Sequence, residues 1–394
     1  MKYLIQLTSL MIFLHLVFYL SFIKIINFPS YLLYIILMVV MLLYYLLQNK
    51  KIIFSHLLLI WLVFYLVINT VYYILAGAGS DVFEFYRYAL VDVFLLVSLS
   101  LLYNLDDENM IATRQSIVFA LLIGVLLLLF DFTHPGVFPS NEHYVSGRAL
   151  ATFQNQNLAG ALLILGFILT IDIIPKKFRL FYSIYIFIGI LVTTSRSNIM
   201  IYSIILILLA IQNKISRLFS VVLFVLLIMI IMWLYYFGLE YLSNNFDIQF
   251  TNDVVDRLAF FVDPQSVSEN HDTERENVLQ AALIMFAEHP IFGNGMGATR
   301  LWHYRVGPHN TFAAQWAEFG LIGLLIIPSF LYSTTHDIIF GKKKEYRDMG
   351  ILFIIYFILS SLFSHNMFEF TFNMAGGVIL AILGYKNKIH LNIR

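Results

Sequence analysis

Cysteine is absent from this 394-residue chain, which excludes a disulfide framework, a thiolate nucleophile and a cysteine metal site, and leaves the redox compartment unreadable. Charge is scarce as well. Only 12% of residues are Asp, Glu, Lys or Arg, and 24 basic residues balance 24 acidic ones, so net charge gives no reason to expect nucleic acid or a generally acidic partner. Several catalytic signatures are missing: no His-Glu-x-x-His, no P-loop, no Gly-x-Ser-x-Gly, and no Asp-x-Asp pair to hold a divalent ion on a nucleotide diphosphate. A metal-dependent nucleotide-sugar enzyme is therefore disfavoured. No internal repeat or low-complexity run is visible.

What the chain has in excess is apolar side chains. They make up 60% of it, with mean hydropathy +0.82, against roughly 45–50% in soluble domains. The expectation is an all-α, polytopic membrane protein. A crossing helix needs roughly 20 mainly apolar residues, which predicts twelve spans near 3–23, 31–48, 52–75, 86–104, 115–131, 157–174, 180–194, 197–212, 218–238, 311–333, 350–364 and 374–386. The first is read as a retained span because no small-residue cleavage site follows it. Residues 1–394 then form one integral membrane domain, with an insertion at 239–310 acting as a cap. Inside that insertion Thr273 and Glu276 match a capping box, Pro290 ends the predicted helix, and Arg275, Leu279, Ala282 and Phe286 share the face expected to lie on the membrane domain. Trp61, Trp233 and Trp302 are read as interface belts.

Orientation follows from the distribution of Lys and Arg. With both termini in the cytoplasm, sixteen basic residues fall inside and eight outside. Eleven of the inner sixteen are Lys, whereas seven of the outer eight are Arg: Arg87, Arg148, Arg196, Arg257, Arg275, Arg300 and Arg305. Inner lysines satisfy topology. Outer arginines either pair with outer carboxylates such as Glu84, Glu142 or Asp256, or offer planar forks to phosphate oxygens.

The richest stretch runs from His289 to Gly323. Gly307-Pro308 precede His309, marking a helix start at the outer interface. A histidine there is either an interfacial hydrogen bonder or a proton acceptor, since imidazole titrates near neutral pH. Thr311, Gln315 and Glu318 form a polar stripe entering the membrane, and an intramembrane carboxylate is a functional candidate because burying it unpaired is costly. Gly320 and Gly323 are read as close-packing positions between helices. The cluster Gly293, Gly295, Gly297 is either an ordinary turn or a nest of backbone N–H groups for a phosphate. Arg196 lies in the polar hairpin Thr193-Thr194-Ser195-Arg196-Ser197-Asn198, which is a simple turn or a lipid-phosphate site. Arg148 precedes an amide-rich run ending at Asn157, where Asn157 either caps the next span or touches sugar.

Together these blocks resemble the O-antigen ligase and Wzy-type polysaccharide polymerase family: His309-Asn310 with Glu318, Gly320 and Gly323; Arg148 through Asn157; Thr194 to Ser197; and Arg275 with Pro290 and the three glycines. Ala151 stands where that family commonly has Gly, and Gln156 where it commonly has Pro. The resemblance implies a GT-C-like fold at the plasma membrane and a metal-independent, cofactor-free, inverting glycosyltransferase. Its donor would be an undecaprenyl-pyrophosphate-linked oligosaccharide, and its neighbours the membrane lipids, a chain-length regulator and a flippase. It implies His309 as proton acceptor, Glu318 or Asn310 as its orienting partner, and Arg196, Arg275, Arg148, Arg300 and Asn157 as substrate-binding residues. Polymerase, ligase and, less readily, flippase all remain open at this point.

Overall fold

A computed structural model describes residues 2–26, 30–47, 56–76, 105, 107–138, 147–153, 155–216, 225–226, 228–246, 250–262, 269–304, 307–340, 344–364 and 367–368. Their regular elements are helical. In order they are α1 (Lys2–Phe13), α2 (Leu16–Phe22), α3 (Ser30–Leu47), α4 (His56–Ala76), α5 (Asp107–Thr133), α6 (Gln156–Thr170), α7 (Arg179–Val192), α8 (Arg196–Ile211), α9 (Leu239–Phe246), α10 (Asn252–Val262), α11 (Glu269–Glu288), α12 (Ala298–Leu301), α13 (Thr311–Ile339) and α14 (Lys344–Phe363).

Element positions follow the hydropathy closely, while fewer than twelve elements reach membrane length among the described residues. Among the described residues three helical segments are long and apolar enough to span, Leu57–Ile74, Glu108–Thr133 and Thr311–His336. A fourth is reached if α1 and α2 count as one span bent by 61°. That bend centres on His15, which is buried in a left-handed conformation (φ 55°) and stacks on Phe18. Helices α6, α7 and α8 have 15, 14 and 16 residues, or about 21–24 Å at 1.5 Å per residue, short of a hydrocarbon layer of about 30 Å. The spans expected at 86–104 and 374–386 lie outside the described residues, and the one at 218–238 is described only in its second half, where the helix continues through a π turn (Leu234–Gly238) to Phe246. The protein is a multi-pass membrane protein.

The chain divides into two compact units, residues 1–30 with 108–268, and residues 31–107 with 269–394. In the first, α6 is the centre: every residue in it except Asn157 is buried, as its unbroken apolar sequence requires. Glycines set the packing distances around it, Gly166 admitting Leu121 of α5 and Gly189 of α7 admitting Val125 and Leu163. At one end of this bundle the orphan carbonyls that close α6 receive arginines instead of water. Arg114 Nε donates to the Leu169 carbonyl (2.9 Å) and its guanidinium pairs with Asp172, while Arg179 donates to the carbonyls of Ile174 (2.9 Å), Asp172 (2.9 Å) and Lys214 (3.0 Å). These two arginines staple helix ends.

In the second unit α13 is the hub. Trp61 of α4 donates to Ser329 Oγ (3.1 Å) and the Ile326 carbonyl (3.3 Å), Tyr72 donates to the Phe319 carbonyl (3.0 Å), and Thr311 Oγ1 donates to the Ser364 carbonyl (2.5 Å) at the end of α14. Trp61 is thus a core residue, 3% exposed, and not part of an interface belt. Helix α11 lies on the start of α13, as its pattern predicts, with Ala282 against Ala313 and Ala317, and Leu279, Met285 and Trp302 around them. Two details differ. The helix begins at Glu269, so the Thr273–Glu276 box is internal, and Arg275 is exposed because the covered face starts one turn later at Val278.

Replacing Arg114 with Ala leaves Asp172 and the Leu169 carbonyl without their donor. Because Asp172 keeps some contact with water (14% exposed) the loss should sit near about 3 kcal/mol, the low end for breaking a buried pair. Thermal unfolding in detergent measures it, with Arg114→Lys retaining part of the loss-free stability.

Candidate functional site

The residues singled out by sequence fall on both units. Arg148, Asn157 and Arg196 belong to the first; Arg275, Arg300, His309, Asn310 and Glu318 belong to the second. Each group has its own local logic.

In the first unit the hairpin between α7 and α8 is locked from two sides. Arg148, 6% exposed, donates from Nε to Thr194 Oγ1 (2.9 Å) and to the Thr193 carbonyl (3.2 Å). Opposite it, Ser195 Oγ donates to Asn157 Oδ1 (2.8 Å), and Asn198 donates to the Asn157 carbonyl (2.8 Å) and to Ser195 Oγ (3.1 Å). Gly160 leaves the space that Asn198 occupies. Thr194 is held left-handed (φ 49°), a conformation rare for a β-branched residue and sustained only by such over-determination. The turn so fixed presents Arg196, half-buried, with its guanidinium 5.0 Å from the centre of the Phe260 ring.

Asn157 therefore braces the turn and does not cap its helix. The cap is Asn155, whose Oδ1 accepts from the N–H groups of Asn157 (2.8 Å) and Leu158 (3.3 Å). Arg148 is itself positioned by a residue that sequence reasoning missed, Asp131 at the end of α5. Its Oδ2 accepts from the N–H groups of Leu150 (2.8 Å) and Ala151 (2.9 Å), and Ala151 is left-handed (φ 46°). This conformation accounts for the preference for Gly in the resembled family at that position. The signal was available: a carboxylate ending an apolar helix needs a partner.

In the second unit the site is organised by a break. Gly320 leaves helical geometry (φ 61°, ψ −137°) in the middle of α13. The carbonyls this strands are taken by the glycine turn: Asn294 N–H donates to Ala317 (2.9 Å) and Gly295 N–H to Glu318 (3.0 Å), while Leu321 N–H donates back to Pro290 (2.8 Å). The Asn294 side chain adds bonds to the carbonyls of Met285 (2.8 Å) and Ala317 (2.9 Å). A Cβ at Gly293 would strike the Glu318 carbonyl, and one at Gly320 would meet Ile291 and Gly293 backbone. These observations correct two expectations. Gly320 and Gly323 serve a fold within one broken helix, Gly323 packing on the Gln315 carbonyl eight residues earlier, and the N–H groups of Gly293 and Gly295 are committed to protein carbonyls, not open to a phosphate.

The polar stripe is buried as expected, Thr311 at 0%, Gln315 at 3% and Glu318 at 2% exposure. Glu318 Oε1 accepts from the Thr299 hydroxyl (2.5 Å), which ties the carboxylate to the short helix α12 that carries Arg300. Asn310 is the N-cap of α13, accepting from Ala313 N–H (3.0 Å). His309, half-buried just before that cap, is left-handed (φ 50°), a third strained non-glycine residue at a position sequence had marked. Arg305 lies outside the described residues.

Fold and local sites together define a multi-pass helical membrane protein with a rigid arginine hairpin in one unit and a broken, carboxylate-bearing helix behind a histidine in the other. Residues 181–327 match the family described as Wzy_C, O-antigen ligase, so the chain carries a Wzy_C O-antigen ligase domain. That segment contains Arg196, Arg275, Arg300, His309, Asn310 and Glu318; Arg148 and Asn157 lie before it and reach it through Thr194 and Ser195. No curated protein matches the chain in sequence. A solved structure described as "Structural coordination of polymerization and crosslinking by a peptidoglycan synthase complex" contains a similar chain, 12% identical, with TM-score 0.48 over 83% of this chain and 96% of that one. At that level the likeness is silent on chemistry.

Two stability measurements test these sites. Asp131→Ala strands two buried N–H groups and should cost about 2 kcal/mol, of which Ala151→Gly in the same chain recovers about 1 by relieving the left-handed alanine. Gly320→Ala combines left-handed strain with a backbone clash and should cost at least about 2 kcal/mol in the same unfolding assay.

Proposed function

We propose that this protein is a glycosyltransferase that joins undecaprenyl-pyrophosphate-linked oligosaccharide repeat units into a surface or capsular polysaccharide at the outer face of the plasma membrane. The observation that carries the reading is the rigid presentation of Arg196 inside a Wzy_C domain: six side-chain hydrogen bonds hold the neighbouring residues of one hairpin and its braces, which is preorganisation of the kind needed to meet a developing negative charge. In this reading the chain crosses the membrane about twelve times with both termini cytoplasmic and acts as one domain.

Arg196 and Arg275, assisted by Arg148 and Arg300, neutralise the donor pyrophosphate without a metal. Arg148 does so through the turn it holds. A hydroxyl of the incoming repeat unit attacks the anomeric carbon, the bond from that carbon to the phosphate oxygen breaks with inversion, and the diphosphate lipid leaves with the electron pair. His309 takes the hydroxyl proton, with Asn310 and Glu318 fixing the helix start and the α12 turn around it. A chain-length regulator and a flippase of the same route are the expected partners. The second reading, a ligase that moves finished glycan to another acceptor, is favoured by the family description itself.

Purified protein in liposomes, given lipid-pyrophosphate oligosaccharide and a chelator, should yield a ladder of longer glycans. His309→Ala should abolish the ladder and leave lipid-linked units to accumulate, while Arg196→Lys, which keeps charge but loses the fork, should lower the rate by ten-fold or more, about 1.4 kcal/mol. Transfer only to a different acceptor establishes the ligase; movement of the glycolipid with unchanged length removes both readings.

A further inference from the structure

The turn that joins α11 to α12 has an inside and an outside of opposite character. Inside, its polar backbone is spent on protein: Gly293 N–H donates to His289 (2.8 Å), the next two N–H groups go to the carbonyls freed from α13, and the carbonyls of Pro290 and Ile291 accept from Leu321 N–H (2.8 and 3.3 Å). Pro290 has no N–H to satisfy. Outside, the turn presents Ile291 and Phe292, 58% and 70% exposed. A loop facing water does the reverse, turning polar groups outward and hiding large apolar ones.

The hydrogen bonds between Leu321 and residues 290 and 291 place this outer surface beside Leu321, itself 51% exposed, with Leu325 (59% exposed) one turn further along α13. Those two leucines lie on a helical segment long and apolar enough to span a membrane, Thr311–His336, which suits their exposed sides to lipid. The bonds from Leu321 set the backbone of Pro290 and Ile291 next to that segment. Non-helical backbone is tolerated at membrane depth only where its hydrogen-bonding groups are satisfied within the protein, which holds here for the N–H groups of Gly293, Asn294 and Gly295 and the carbonyls of Pro290 and Ile291, and not for the N–H groups of Ile291 and Phe292, which the headgroup level must serve.

We propose that the 290–293 turn is a membrane-inserted wedge, with Ile291 and Phe292 buried in the hydrocarbon edge of the bilayer, and that the outer segment of the protein is thereby anchored to the lipid surface at the level of the Gly320 break. The inference needs only the membrane reading of α13 and is independent of the reaction proposed above.

The absence of cysteine permits a direct test. Full-length protein carrying Phe292→Cys is labelled with an environment-sensitive fluorophore and reconstituted in phosphatidylcholine vesicles, with Asn277→Cys on the exposed side of α11 as the reference and Ile291→Cys as a second wedge position. At 292 and 291 emission should shift to the blue, be lost to nitroxides on the upper acyl chain, within about 5–10 Å of the headgroup boundary, and resist aqueous iodide; at 277 iodide should quench and the acyl nitroxides should not. Equal iodide quenching at 292 and 277 overturns the proposal by placing the turn in water. Protection from both quenchers overturns it too, by placing protein, not lipid, against Phe292.

Discussion

A helix that breaks among apolar neighbours must hand its orphaned N–H and C=O groups to some other segment, because no water is at hand to take them. That constraint governs the second unit. The break at Gly320 frees the carbonyls of Ala317 and Glu318, and a glycine-rich turn twenty-odd residues earlier supplies the N–H groups that satisfy them. Once the two segments are joined in this way, the rest is fixed locally. Helix α11 is drawn onto Ala313 and Ala317, Glu318 is brought to Thr299, and α12 with Arg300 is set beside the carboxylate.

The first unit solves a related problem with guanidinium groups. Arg114 and Arg179 at one end of the bundle, and Arg148 at the other, all donate to main-chain carbonyls that helix termini leave open. Arginine suits this task because its fork reaches two acceptors in one plane and stays charged when buried. The count of inner and outer bases alone did not show which arginines are built into the fold. The hydrogen bonds do so for these three, with Arg148 as the support of the turn that bears Arg196.

Much of the helical frame was legible because hydropathy depends on composition alone: α3, α4 and α6 to α8 begin and end within a few residues of their expected limits. Crossing number was less so: among the described residues three helices, or four with the bent pair, are long and apolar enough to span, and the spans expected at 86–104 and 374–386 lie outside those residues. The glycines were misread for a physical reason. Gly320 lies at the head of the apolar run that follows Glu318, and nothing in that run announces a left-handed residue whose exposed backbone is met by a segment beginning at Pro290. Trp61 looked like a belt residue because sequence cannot supply the Ser329 hydroxyl that satisfies its indole in the core. Arg148, Asn157 and Arg196 were singled out in separate blocks, yet the braces between the first two and the Thr194–Ser195 turn could not be seen before folding.

The shortness of the central bundle bears on its surroundings. Along α5 the polar contacts of Arg114 and Asp131 are seventeen residues apart, about 26 Å of rise, and the partners α6 to α8 are shorter still. Helices of 14 to 16 residues meet a hydrocarbon layer of about 30 Å at a deficit of several ångströms, and lipid that thins around them costs less than stranding their polar ends in hydrocarbon.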